Sequence, residues 1–250
     1  MKNITLIIFT LLLTSLQVFA QENVENKEEK TAEVTETTTP EEPKEEVEQV
    51  AILERLKDIK AKRIKIYEFN PIKNSQGFIT IIEFNDLSCK ECITKSQAFY
   101  DSLGQDNLKN VKLIYKHSNS NKTKLVNQTT VYGLVAAKLN KFWEFKEEIS
   151  RNNYTSNEDL ISAIMTAGVT KEELYNNLML NSDLFYKNID ADDKYAKSLR
   201  SKQVPMFYVD GYKVGEDIMP DEVAGYIADR TTEYMNAKKL EDNKYNMGKF

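Results

Sequence analysis

Only two cysteines occur in the 250 residues, and they stand together as Cys89-Lys90-Glu91-Cys92. They directly follow an apolar run, Phe78-Ile79-Thr80-Ile81-Ile82-Glu83-Phe84. An apolar strand, a Cys-X-X-Cys turn and then a helix constrain this chain more than any other feature. They predict an α/β domain with a dithiol where a strand hands over to a helix. Two thiols at this spacing close a small ring and can pass a disulfide to another protein. The same spacing serves as half of a zinc site, but zinc usually takes four ligands. The other candidates are a single histidine, His117, and carboxylates without paired spacing. No metal and no organic cofactor is therefore expected.

The first 20 residues read as a secretory signal. Lys2 gives the positive start, Ile4 to Leu16 is mostly apolar, and Val18-Phe19-Ala20 ends on small residues at the positions a signal peptidase inspects. An uncleaved anchor is the alternative, although the run is shorter than the usual membrane span. No cysteine follows the run, which argues against a lipid anchor. The expected location is the periplasm, an oxidising compartment in which disulfides persist. A structural staple explains the pair poorly, because bridging residues three apart closes a tiny loop and adds little stability. Redox chemistry explains it better.

Net charge is −5, but it is unevenly spread. Residues 21–50 hold eleven Glu and three Lys, and with Lys2 set aside the chain from Ala51 onward carries +2. That part has no basic stripe, so nucleic-acid binding finds no support. Residues 21–46 are rich in Glu, Thr and Pro and nearly free of large apolar side chains. They are expected to be a disordered acidic linker, either a tether or a passive spacer. Val47 to Ile64 is expected to be an amphipathic helix, with Ile52, Leu56 and Ile59 on one face. It either docks on its own domain or pairs subunits; barely two heptads are present.

A short strand is expected from Ile64 to Phe69, then a turn through Lys73-Asn74-Ser75-Gln76-Gly77. The run Phe78 to Phe84 is apolar on both faces, as a central strand is. A helix is expected from the cysteines to Leu103, a strand from Val111 to Tyr115, and only helices between Asn127 and Leu199. Val204 to Val209 and Tyr212 to Val214 are expected strands around Gly211, and Met219 to Met235 a closing helix. The order β-β-α-β, helices, β-β-α gives one α/β domain over residues 65–237, with a helical insertion at 127–200. Residues 238–250 are expected to form a flexible tail.

Several features bear on chemistry. At a helix start, unpaired N–H groups and the helix dipole stabilise a thiolate, so Cys89 is expected to be the attacking sulfur. Cys92, one turn in, is expected to be the more buried, resolving thiol. Val204-Pro205 opens an apparent central strand, where proline removes a ladder donor. Either the bond is cis and faces the cysteines, leaving backbone groups free for a client strand, or Pro205 is merely a first strand residue. Glu83 stands among Ile81, Ile82 and Phe84. Burial there raises a carboxyl pKa, and such an acid can exchange a proton with the inner cysteine; the alternative places it at a polar sheet edge. Phe142-Trp143-Glu144-Phe145 has the spacing of core aromatics. His117 reads as an ordinary loop residue.

These motifs in this order resemble the DsbA-type branch of the thioredoxin-like thiol–disulfide oxidoreductases. The match runs from about Ile64 to Ala228 and rests on Glu83-Phe84, Cys89-X-X-Cys92, the Phe142-Trp143 helix and Val204-Pro205-Met206-Phe207-Tyr208-Val209-Asp210-Gly211. The resemblance implies a thioredoxin-like fold with an inserted helical subdomain. It also implies a cis bond before Pro205 and a proton-handling role for Glu83. It departs between the cysteines, where the family's oxidases usually carry Pro-His and this chain carries Lys90-Glu91. Glu91 opposes a thiolate and Lys90 partly compensates.

The expected activity is exchange of the Cys89–Cys92 disulfide with thiol-containing or unfolded exported client proteins, most simply as an oxidase. A membrane redox partner is expected to reset the pair. The rivals are an isomerase or reductase with a more reducing site, and a non-catalytic chaperone or adaptor on the same fold. Residues 47–64 are the candidate oligomerising arm.

Overall fold

The structure, a computed structural model, describes residues 62–118, 123–199, 203–215 and 218–247. The expected signal segment, the acidic linker and residues 47–61 of the expected N-terminal helix lie outside the described residues. In chain order the elements are β1 (Ile72–Lys73), β2 (Ile79–Asn85), α1 (Lys90–Leu103), α2 (Gln105–Leu108), β3 (Val111–His117), α3 (Lys124–Lys138), α4 (Phe142–Arg151), α5 (Asn157–Thr166), α6 (Lys171–Ser198), β4 (Met206–Val209), β5 (Tyr212–Lys213) and α7 (Pro220–Met247).

The apolar run before the cysteines becomes the central strand. The sheet order is β1-β3-β2-β4-β5; β2 lies parallel to β3 and antiparallel to β4. Side chains of a strand alternate between faces, and β2 is buried on both. Ile79 and Ile81 join Val111, Leu113, Phe207 and Val209 in a cluster under Phe99 and Leu103 of α1 and Val223 and Ile227 of α7. Ile82 and Phe84 face the other way, onto Ile64, Ala196, Leu199 and Tyr208. The inserted helices α3 to α6 form a third core around Leu134, Phe142, Phe145, Ile164 and Phe185, which also takes in Leu87 and Ile93 beside the cysteines. Phe142 and Phe145 are core, as their spacing predicts, while Trp143 packs at its margin.

Local chemistry marks the element ends. Capping boxes start α5, where Ser156 and Asp159 bond reciprocally, and α6, where Thr170 and Glu173 do. Asp210-Gly211 turns β4 into β5, with both residues at positive φ, 47° and 89°. A side chain at 211 would also collide with the Lys62 carbonyl, 2.7 Å from an added Cβ.

Four expected boundaries shift. Residues 64–69 are no strand, and 62–64 are not helical; the first strand is β1. The backbone of the irregular segment is satisfied elsewhere: Lys62 N–H donates to the Gly211 carbonyl, and Tyr195 and Lys116 donate to the carbonyls of Arg63 and Lys65. The insertion is helical over Lys124–Ser198, with breaks. The expected tail continues α7 to Met247. Residues 237–247 contain neither Gly nor Pro and are mostly good helix formers, and Gly248 is the first breaker.

Candidate active site

The cysteine loop is built from the end of β2. Asp86 Oδ1 accepts from Ser88 N–H at 2.8 Å and Ser88 Oγ at 2.6 Å, and the Asp86 carbonyl accepts from Cys89 N–H at 3.1 Å. This is the local turn that Asp favours. Leu87, fully buried, seats against Gly133 of α3, where an added Cβ would meet Leu87 Cδ1 at 2.5 Å. The loop is thereby pinned to both the sheet and the insertion.

Cys89 is the N-cap of α1 and Cys92 lies in its first turn. The two form a disulfide, with Cα atoms 5.2 Å apart. Cys89 Sγ accepts from Cys92 N–H at 3.2 Å. A helix N-terminus offers such a donor and a positive dipole end to a thiolate. Both cysteines are half-buried. Between them, Lys90 Nζ reaches the Arg151 carbonyl at 3.4 Å. Glu91 pairs instead with Lys95 at 2.7 Å on the exposed side of α1. The hydrogen bond and charge of Lys95 hold the Glu91 carboxyl below its ordinary value, so it is an anion in the first helical turn.

The Val204–Pro205 bond is cis. Pro205 directly precedes β4, whose first residue, Met206, pairs with Phe84 near the end of β2. The cis bond and the cysteine loop therefore share one end of the sheet.

Glu83 is buried in β2, on the face covered by α1. Its Oε1 accepts from Asn85 Nδ2 at 2.7 Å, Ser96 Oγ at 2.7 Å and Lys146 Nζ at 2.8 Å. Its Oε2 accepts from Tyr100 Oη at 2.8 Å and Lys146 Nζ at 2.7 Å. Burial acts to push the carboxyl up, but the Lys146 ammonium and the hydrogen bonds from Lys146, Ser96 and Asn85 hold it below its ordinary value. The expected upward shift is thus reversed. Sequence alone does not supply a counterion 63 residues away. Burial and the Glu83 charge push the Tyr100 phenol well up, which keeps it a donor.

Asn85 ties this cluster to the cysteines. One side-chain amide donates both to Glu83 and, at 3.2 Å, to the Cys92 carbonyl. Its Oδ1 accepts from Asp86 N–H, and its carbonyl accepts from Tyr115 Oη at 2.8 Å. Asn85, Ser96, Tyr100 and Lys146 are absent from the sequence-based site. Lys146 left a trace there: it occupies one position of the stripe Phe142, Phe145, Lys146, Ile149, the apolar face of α4.

His117 is not a loop residue. It ends β3 and is fully buried, with neither ring nitrogen hydrogen-bonded among the described residues. Burial and then the adjacent Lys116 ammonium push its imidazole down to about 3. Lys116 itself points to the other face and meets Asp192 of α6 at 2.5 Å, both side chains fully buried. Burial draws Lys116 down and Asp192 up from their ordinary values, against their mutual attraction. That pair fastens the insertion to the sheet, far from solvent. No three His, Cys, Asp or Glu side chains among the described residues cluster as metal ligands.

A family model described as Thioredoxin matches residues 74–229. No curated protein sequence matches. Among solved structures, a thioredoxin-like oxidoreductase from Silicibacter pomeroyi DSS-3 is similar at 20% identity and a TM-score of 0.55, over 67% of this chain and 94% of that one. Oxidised BdbD from Bacillus subtilis is similar at 17% identity and 0.55, over 68% and 97%. The thiol-disulfide exchange protein alpha-DsbA2 from Wolbachia pipientis is similar at 15% identity and 0.57, over 75% and 98%.

Proposed function

The chain belongs to the thioredoxin family, in its DsbA-like form with an inserted helical subdomain, and from that premise we propose that this thiol–disulfide oxidoreductase is an exported oxidase of client proteins. One observation carries the reading. The Cys89–Cys92 disulfide caps a helix at the end of the sheet that also holds Val204 and Pro205.

The exchange balances as follows. A client thiolate attacks Cys89 Sγ; the Cys89–Cys92 bond breaks, and Cys92 leaves as a thiolate that takes up a proton. A second client thiolate attacks the client sulfur of the mixed disulfide, and Cys89 leaves as a thiolate capped by the helix N-terminus. The client loses two electrons and two protons, and the cysteine pair becomes a dithiol. A membrane redox partner then withdraws the two electrons. The client backbone lies along Val204 and Pro205, beside the cysteine loop. Glu83 acts on Cys92 in a positioning role. Its carboxylate oxygens are already occupied, and it reaches the Cys92 turn through Asn85.

Glu91 favours a second reading. An ionised carboxylate in the first turn of α1 opposes a Cys89 thiolate, and a less stable thiolate makes a more reducing pair, suited to an isomerase or reductase. Oxidative refolding of a reduced, disulfide-containing protein, run beside insulin reduction, separates the two. Catalysed refolding with little insulin reduction is expected. Strong insulin reduction would move the assignment to the second reading, and inactivity in both assays would leave only a binding role for the fold.

A further inference from the structure

The long inserted helix α6 buries one face in the core. Leu174, Phe185, Ile189 and Ala196 are buried there, with Leu178 packed beside them, at the spacing of one helical stripe. The opposite face of such a helix is ordinarily polar, and over three turns this one is not. Tyr175, Met179, Leu180, Leu184 and Tyr186 are all exposed, Met179 at 75% and Leu180 at 73%. Single apolar side chains on a surface are ordinary, but five large ones along one short stretch of helix form a patch. Packing within the chain does not account for them.

Charge indicates what covers the patch. Glu172 and Glu173 precede it, and Lys187 and Lys194 follow it, all exposed. Exposed Asp183 and Asp190 share this side, so an anionic lipid surface would be repelled along its length. A second α6 running antiparallel has the complementary order, its basic end beside the acidic end of the first, and the two helix dipoles then oppose. Glu173, Leu180 and Lys187 are spaced by seven residues, about two turns, and so lie in one line along the helix. With a two-fold axis at Leu180, that side chain meets its own copy, and Glu172 and Glu173 of each helix come level with Lys187 of the other. We infer that the outer face of α6 is the interface of a two-fold dimer, two copies packing their α6 helices antiparallel across Leu180. The patch presents on the order of 500 Å² per copy, less than the roughly 800 Å² per partner of a standard interface, which suits a dimer of micromolar strength. This interface is distinct from pairing through residues 47–64 and does not depend on the oxidoreductase reading.

Sedimentation velocity of the full chain, from about 1 to about 100 μM, tests it. A reversible monomer–dimer equilibrium is expected. Leu180→Glu should raise the dissociation constant about 30-fold or more, as loss of a central interface residue does. The position is exposed, so the fold should survive, and circular dichroism checks this. Leu56→Glu, in the arm expected from sequence, should leave the dimer intact. The charges give a test of register. Lys187→Glu should weaken the dimer about tenfold, since each copy loses an attraction and gains a repulsion. Glu172→Lys should weaken the wild-type dimer but strengthen the Lys187→Glu dimer. Within one helix these two positions lie ~22 Å apart, beyond the reach of screened charge, so a reversed sign can arise only between copies. Three results would overturn the interface: a chain still monomeric at the highest concentration, whether or not it then binds phosphatidylcholine vesicles; a dimer that survives Leu180→Glu; or a Glu172→Lys effect of the same sign in both backgrounds.

Discussion

Lys146 Nζ lies 2.8 and 2.7 Å from the two carboxylate oxygens of Glu83, and joins an inserted helix to the central strand directly behind the cysteine turn. The pair is almost wholly removed from water, with side-chain exposures of 10% for Lys146 and 0% for Glu83. In such a place the loss of one partner matters more than the net contribution of the pair, because the survivor is left as an uncompensated charge.

Lys146→Met is therefore expected to destabilise the fold by about 3–5 kcal/mol at neutral pH. Changing Glu83 to Gln in the same chain should recover part of that. The pH dependence discriminates further. In the wild type the folded-state Glu83 pKa is lowered, so its stabilisation is complete above the ordinary carboxylate value and is lost as pH falls through the lowered one. In Lys146→Met the largest lowering influence is gone and burial is opposed only by the hydrogen bonds from Ser96 and Asn85, so the folded-state pKa should rise and the deficit should shrink as pH falls through it. Denaturant unfolding across the acid range checks both slopes; a deficit independent of pH would show that Glu83 does not titrate as described.

Cys92→Ser is expected to accumulate mixed disulfides with client thiols, and Cys89→Ser few. The basis is the Cys89 sulfur at the N-cap of α1, facing the Cys92 N–H. Non-reducing electrophoresis after acid quenching reads this out, and equal trapping by the two variants would contradict the assignment.

Glu91→His should raise the reduction potential of the pair. It removes a carboxylate from the first turn of α1 and adds a group that can carry positive charge. Glu91 is exposed and already paired with Lys95, so the change is expected to be modest, on the order of 10–30 mV. Equilibration against glutathione measures it. An unchanged or lowered potential would mean that the residues between the cysteines do not set the poise.

His117 should make the protein sensitive to acid. Its folded-state pKa is about 3 against an ordinary value of 6.5, so the unfolded chain binds the proton first. Stability is then complete above the ordinary value and falls as pH drops through the window between the two. By pH 4.5 the loss from this residue alone should reach about 2–3 kcal/mol. His117→Leu should remove that part of the slope. Unfolding midpoints at pH 7 and pH 4.5 for the two proteins test it; parallel losses would contradict the burial of a neutral imidazole.

Much of the site was legible in the sequence because its signals are local. The strand–cysteine–helix order needs only the apolar run and the spacing of Cys89 and Cys92. The anomaly at Pro205 is visible because a strand interior needs N–H donors, and the structure resolves it as a cis bond. The Asp210-Gly211 turn and the Ser156 and Thr170 caps are equally local. Elsewhere local reasoning misplaced elements. Ile64 to Phe69 has strand-like composition, yet the backbone of residues 62–65 is met by groups distant in sequence: the Gly211 carbonyl takes the Lys62 N–H, and Tyr195 and Lys116 donate to the Arg63 and Lys65 carbonyls.

The sequence by itself determined the fold class, the element order, the redox pair and its place at a helix start, since each follows from hydrophobic period, spacing and turn chemistry within a few residues. Only the tertiary structure decided the ionic state of Glu83 and the neutrality of His117. Both depend on what packs against the sheet. Lys146 comes from a helix of the insertion and holds one carboxylate ionised, while apolar packing and Lys116 keep the imidazole uncharged. A charge in a low-dielectric interior is set by its nearest counter-charge, and chain distance carries no information about which residue supplies one.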